Sequence, residues 1–273
     1  MKTAKRLTLA ILIAAAMPLT LTGSALAGPD SSVKEAVAPK MDAKAKAVWD
    51  RSIEASLSEN AKDEWVKSMR LIGTMSVPAQ GISAEMNILI ATNLGMRLNI
   101  VLPGMGTFEQ GVSGDVAWSN NMMEGPKILE GDEAKQLAKE LDLYADLRWD
   151  QYYASITYKG EETITMPDDT EVNTSVLELT DIEDESVSTQ YFDTETGLLV
   201  MAETTVSMNG SKIPSTAYTM DYREVEGIMI PFKTISSSGP IQQIIEFSKI
   251  EVNGEIADGE LDLPEDVQEL IED

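Results

Sequence analysis

The chain has 273 residues, with 46 acidic and 21 basic side chains, no histidine and no cysteine. Its formal net charge of −25 repels nucleic acid and anionic headgroups. The two missing residue types exclude a Ser-His-Asp triad, a histidine base or metal ligand, a thiol nucleophile, a thiolate zinc site, disulfides and lipid attachment to an N-terminal cysteine.

The first 27 residues read as a leader. Lys2, Lys5 and Arg6 precede an apolar run from Leu7 to Leu21, and Ala25-Leu26-Ala27 fits a small-residue cleavage site. The alternative is an uncleaved anchor, but the run is short for a spanning helix and Pro18 interrupts it. Cleavage after Ala27 removes three cations and no acids, which takes the formal net from −25 to −28. Export to the periplasm is expected, with secretion as the alternative, and no later run is apolar enough for stable membrane insertion. Residues 28–40 are small, polar and charged, a flexible leader. One domain is expected over 41–264, followed by an acidic tail at 265–273.

From Met41 to Leu57, Ala45, Val48, Trp49, Ser52, Ile53 and Leu57 recur at helical spacing behind Asp42, a natural cap. Asn60 to Glu64 breaks the pattern. The period then becomes two. Met69, Leu71, Met75 and Val77 share one phase of 68–77. Met86, Ile88 and Ile90 do so in 84–92, and Met96, Leu98, Ile100 and Leu102 in 96–102. Short strands are expected at 107–112 and 115–119. Residues 131–143 return to helical spacing, with Asp132 as cap and Ala134, Leu137, Ala138 and Leu141 on one face. The aromatic stretch 144–153 is open between helix, loop and lid. Strands follow at 163–166, 175–180 and 241–252.

Between them lies a meander, 187–192, 198–206, 216–222 and 228–235. Gly197 supplies the positive φ of its first turn, Asp193 bonds back to nearby amides, and Asn209-Gly210 and Glu226-Gly227 make the next two turns. Residues 191–203 (YFDTETGLLVMAE), 220–233 (MDYREVEGIMIPFK) and 244–256 (IIEFSKIEVNGEI) resemble the C-terminal half of the LolA-like group of bacterial outer-membrane lipoprotein-sorting proteins. Gly111 to Trp118 and Leu129 to Glu133 fit the middle of the same pattern, so the resemblance spans roughly Met41 to Pro264. It implies a mainly β, α+β fold: a curled antiparallel sheet, an unclosed barrel of about nine to eleven strands, with helices on its concave side.

The residues left for chemistry are carboxylates. A pair could act in glycan hydrolysis if two converged in a cleft. The clusters 168–171 and 181–185 could take calcium weakly, but they fall at turns and match no EF-hand spacing, so solvated turn acids are expected. Gly104-Met105-Gly106 lies between strands, not before a helix, and holds no phosphate. No cofactor, resident metal or catalytic residue is expected. Methionine is abundant, 15 against four phenylalanines, and unbranched thioethers adapt to ligands of variable shape; filling the core is the other use of such a stripe.

The resemblance implies an apolar ligand held in the concave cavity: the acyl chains of a lipoprotein, or another lipid. The expected lining is Met69, Leu71, Met75, Met86, Ile88, Ile90, Met96, Leu98, Ile100 and Leu102, with Tyr218, Met220 and Tyr222 from the meander. In the resembled family an inward arginine controls a helical lid. Here Arg70 and Arg97 fall out of phase with the apolar positions and are expected to point outward. The competing reading is a partner-binding envelope protein with a filled core, whose acidic surface docks a basic protein.

Overall fold

The alternation of two that dominates the sequence produces one sheet. A computed structural model describes residues 38–56, 66–208 and 211–272. The expected leader, the break at 60–64 and the Asn209-Gly210 turn lie outside them. In chain order the strands are β1 (Lys40–Met41), β2 (Ser68–Val77), β3 (Ile82–Ala91), β4 (Gly95–Leu102), β5 (Gly106–Ser113), β6 (Val116–Asn121) and β7 (Gly125–Ile128). After a helical segment come β8 (Tyr153–Thr165), β9 (Glu171–Asp181), β10 (Val187–Asp193), β11 (Leu199–Met208), β12 (Ser211–Val225), β13 (Ile228–Ser238) and β14 (Ile241–Val252).

They form a single 14-stranded sheet in the order β1-β8-β9-β10-β11-β12-β13-β14-β2-β3-β4-β5-β6-β7. Every pairing is antiparallel except β1 against β8. The curled, unclosed sheet is as the resemblance implies, and it holds more strands than the nine to eleven expected. Two of the additional strands are edge pieces too short to show a period: β1 has two residues and β7 four. Strand β8 also starts ten residues earlier than the expected 163, inside the aromatic stretch.

Local chemistry explains the connections. Gly197 has φ 82°, and the Asp193 carboxylate accepts from the Glu195 amide and the Thr196 hydroxyl at 2.8 and 2.7 Å. Glu226 and Gly227 both have positive φ, as a two-residue hairpin with right-handed strand twist requires.

Helix α1 (Ala43–Ala55) starts at Asp42, whose Oδ1 accepts from the Lys44 and Ala45 amides at 2.9 Å each. Its Oδ2 accepts from the Tyr158 amide at 2.8 Å, which pins the helix start to β8. These bonds, the amide of Ala45 first, hold the Asp42 carboxyl below the usual aspartate range. Helix α2 (Gly131–Glu140) opens with Glu130 in the cap position instead of Asp132. A 3-10 turn at Ala145–Arg148 and one α-turn at Trp149–Tyr152 follow it. The acidic tail holds α3 (Glu265–Glu272), two turns rather than one.

Candidate functional site

The register fixes which side chains share a face, because directly opposed residues on neighbouring strands point the same way. Met75 opposes Ile245, Ile245 opposes Thr234, and Thr234 opposes Thr219. On the other flank Leu177 opposes Gln190, Gln190 opposes Ala202, Ala202 opposes Ala217, and Ala217 opposes Ser236. Since Ala217 and Thr219 share a phase, all of these line one face, the inner one.

That face carries two apolar clusters. The larger lies on β2–β5 and β13–β14. It contains Met69, Leu71, Met75, Met86, Ile88, Ile90, Met96, Leu98, Ile100 and Leu102, every one buried. The smaller lies on β8–β10 beneath α1, where Ala45 and Trp49 meet Ile156, Leu177, Leu179 and Phe192. The Trp49 ring stands edge-on to Phe192 and Tyr153, with centroids 6.3 and 6.4 Å away.

The meander residues do not join this face as a group. Tyr218 and Met220 alternate with Thr219, so they point outward. There they pack with a third cluster, Ile164, Met166, Val176, Tyr191 and Met201. Tyr222 follows Asp221, whose φ of 52° disturbs the strand. Its hydroxyl donates 2.7 Å to the Leu199 carbonyl, which Thr219 Oγ1 also reaches. Burial raises the Tyr222 pKa to about 12, so it stays a proton donor. Aromatic and methionine residues in one phase gave no clue to which face of the sheet that phase occupied.

Between the two inner clusters the wall is small and polar. Gln190, Ser215, Thr219, Thr234 and Ser236 are all buried there, interspersed with Ala202 and Ala217. The sequence reading passed over these residues. The signal available was the run of Ser, Thr and Ala in the inward phase of 215–219 and 234–238.

Residues 129–152 cross the open side. They connect β7, one edge strand, to β8, beside the other edge, so the loop spans the gap left by the unclosed sheet. Leu137, Leu143 and Tyr144 are buried against the larger cluster. The Tyr144 hydroxyl donates to the Val66 carbonyl at 3.0 Å and accepts from the Val66 amide at 2.9 Å. At the far side Lys139 Nζ lies 3.0 Å from Asp181 and 3.6 Å from Glu183, and Trp49 Nε1 donates 3.0 Å to the Asp146 carbonyl. The strap is therefore fixed to both halves of the sheet. Its open assignment resolves into short helical turns that cover the inner face. Glu140 ends α2 with no counter-charge among the described residues, and burial raises its pKa to about 7.

Arg70 and Arg97 point outward, as their phase implies. Arg70 binds Glu260 with two bonds of 2.7 and 2.8 Å, and Arg97 donates 3.3 Å to the Glu260 carbonyl. The tail lies across this outer face, where Asn120 reaches Asp266 at 2.7 Å and Val267 is fully buried. A cleft of about 700 Å³ on the outer face of β14 and β2–β4 includes Glu85, Glu246, Asn87 and Asn99. The turn acids are engaged locally: Asp168 Oδ1 accepts from the Thr170 amide and hydroxyl, and Asp181 Oδ1 from the amides of Glu183 and Asp184. Among the described residues no cluster of three His, Cys, Asp or Glu side chains is placed to hold a metal, and no helix is long and apolar enough to cross a membrane.

A curled sheet that fails to close, with a helix laid on its inner face and a strap between its edges, is the LolA-like half-barrel. The chain is similar to the crystal structure of a LolA superfamily protein from Nitrosomonas europaea, at 15% identity and TM-score 0.51, covering 80% of this chain and 96% of that one. It is also similar to a putative outer-membrane lipoprotein-sorting protein domain from Vibrio parahaemolyticus, at 12% identity and TM-score 0.53, covering 80% and 97%. The likeness is one of fold. No protein-family model and no curated protein matches the sequence.

Proposed function

We propose that this chain is an exported binding protein that holds an apolar ligand, lipoprotein acyl chains or another lipid, between the inner face of its half-barrel and the 129–152 strap. The observation that carries the reading is the inner face itself. Two apolar clusters flank a floor of Ala, Ser and Thr side chains, shorter than the Leu and Met side chains on either side. Ligand burial is energetically ample: a chain of ~14 methylenes at about 0.8 kcal/mol each exceeds the ordering cost of binding. The fold shared with lipoprotein-sorting proteins supports the same reading, and so does the basic, apolar leader in the sequence, which would place the domain at 41–264 in the periplasm. The reading is of a carrier or sensor, with no catalytic residue and no cofactor.

The second reading, a filled core with an acidic surface that docks a basic envelope protein, draws on the burial of all ten early-strand residues and on the net charge of −25. Native mass spectrometry of the mature protein purified from its own envelope separates the two. A co-purifying lipid or acylated peptide, lost in Met86→Asp without loss of fold, is the expected result. A clean apo mass, together with no uptake of an uncharged apolar dye, favours the second reading.

A further inference from the structure

The inner wall is not uniformly apolar, and its polar part has a definite character. Gln190 is 5% exposed and Thr234 is 6% exposed, yet neither side chain makes a hydrogen bond within the described chain. Among the described residues the fully enclosed polar atoms without a partner are Thr92 Oγ1 and Trp118 Nε1, so the polar atoms of Gln190 and Thr234 keep a small accessible surface that a ligand atom or a water can meet. Both belong to rows that run across the middle of the sheet. Gln190 shares its row with Ala202, Ala217 and Ser236, and Thr234 shares the next with Thr219. Their neighbours Ala202 and Ala217 are short, so no long side chain from the same rows covers the two groups.

One cation reaches the inner face beside this floor: Arg223 opposes Ile230 and lies 4.3 Å from the centre of the Phe232 ring, where Asp221 already pairs with it. Lys212 and Lys233 fall in the outward phase of their strands, with Tyr218 and Met220. Arg223 and Lys249 are exposed and paired with Asp221 and Glu251. On the strap Lys139 and Arg148 are engaged by Asp181 and Asp142. Two acids also lie on the strap: Asp146, near enough to Tyr153 and Tyr222 to add to the effect of burial on both hydroxyls, and the half-buried Glu140. A phosphate, sulfate or free carboxylate brought here would lose its hydration and meet, in Arg223, a cation already paired with Asp221.

Resting on the carrier reading above, we infer that the ligand is a neutral amphiphile whose uncharged hydroxyl, ester or amide group sits against Gln190 and Thr234 while its hydrocarbon part lies on the methionine-rich cluster of β2–β4. Gln190 acts as the specificity-determining residue, because its carboxamide both donates and accepts and so fits an uncharged polar group of either kind. A hydrophobic site alone does not discriminate by headgroup; an unpartnered amide on its floor does.

The test uses the mature full-length protein and three amphiphiles of equal 14-carbon chain, a monoacylglycerol, the fatty acid and the lysophosphatidate, each below its micelle concentration at pH 8. An uncharged apolar dye serves as the control for the cavity itself. The monoacylglycerol should bind at least about tenfold tighter than either anion. Gln190→Leu should weaken the monoacylglycerol about tenfold and leave dye binding unchanged. Thr234→Val should act in the same direction and covers the case in which Gln190→Leu fails to fold. Equal or tighter binding of an anion, or a headgroup preference that survives both substitutions, overturns the inference and leaves the carrier reading standing. Failure of the dye and all three amphiphiles to bind overturns the carrier reading itself.

Discussion

Arg70 and Glu260 are 190 positions apart in sequence and form a two-pronged ion pair, 2.7 and 2.8 Å, that fastens the C-terminal segment to the outer face of β2. The Arg70 guanidinium holds the Glu260 carboxyl below its ordinary value of 4.5. A depressed carboxyl stabilises the fold above its unfolded pKa, and the contribution is lost as pH falls through its folded pKa. Arg70→Met should therefore cost about 1 kcal/mol at pH 7, the pair being partly exposed. The gap between wild type and variant should close once pH drops well below 4.5. Urea denaturation at several pH values reads both effects, and faster amide exchange in α3 should accompany the loss.

Glu140 predicts the opposite slope. Burial alone raises its pKa from 4.5 to about 7. The folded state then binds more protons than the unfolded state between those values, so stability falls as pH rises through that window. Glu140→Gln should flatten the slope, raising the melting temperature at pH 8 while leaving it nearly unchanged at pH 4.5. An unchanged slope would place the carboxyl in contact with water.

Gly73 marks the closest approach of β2 to β14. A Cβ built there would lie 2.2 Å from the Glu246 carbonyl oxygen and 2.8 Å from the Phe247 Cα. These are backbone atoms in a paired strand and cannot swing aside. Gly73→Ala should destabilise the protein by at least about 2 kcal/mol. A melting temperature equal to wild type would mean that the β2–β14 ladder opens at its irregularity between Phe247 and Lys249.

Lys139 should matter more for access than for stability. Its contacts to Asp181 and Glu183 are partly exposed, so Lys139→Met should change the unfolding free energy by less than about 1 kcal/mol. Residues 131–152 should nevertheless exchange their amide hydrogens faster, and a bound apolar dye should leave sooner. An unaltered release rate would show that the Tyr144 and Trp49 hydrogen bonds suffice to hold the strap.

Much of the architecture was legible in the chain, because it rests on local rules. The two-residue alternation defines β2 and β14 to their terminal residues. Asp42, Gly197 and the Glu226-Gly227 pair mark a helix start and two turns by backbone requirements that neighbouring residues cannot override. The phase of Arg70 and Arg97 against the apolar positions was enough to turn both outward. Sequence did not determine which face each phase occupied in strands that carry apolar residues on both sides. Tyr218 and Met220 look like lining residues until the ladder from Met75 through Ile245 and Thr234 puts Thr219 inside and them outside. Nor did it reveal the polar floor at Gln190 and Thr234, the edge strand β7, or the strap's attachment to both halves of the sheet. Those are products of long-range register, and register is settled only when distant strands bury their faces against one another.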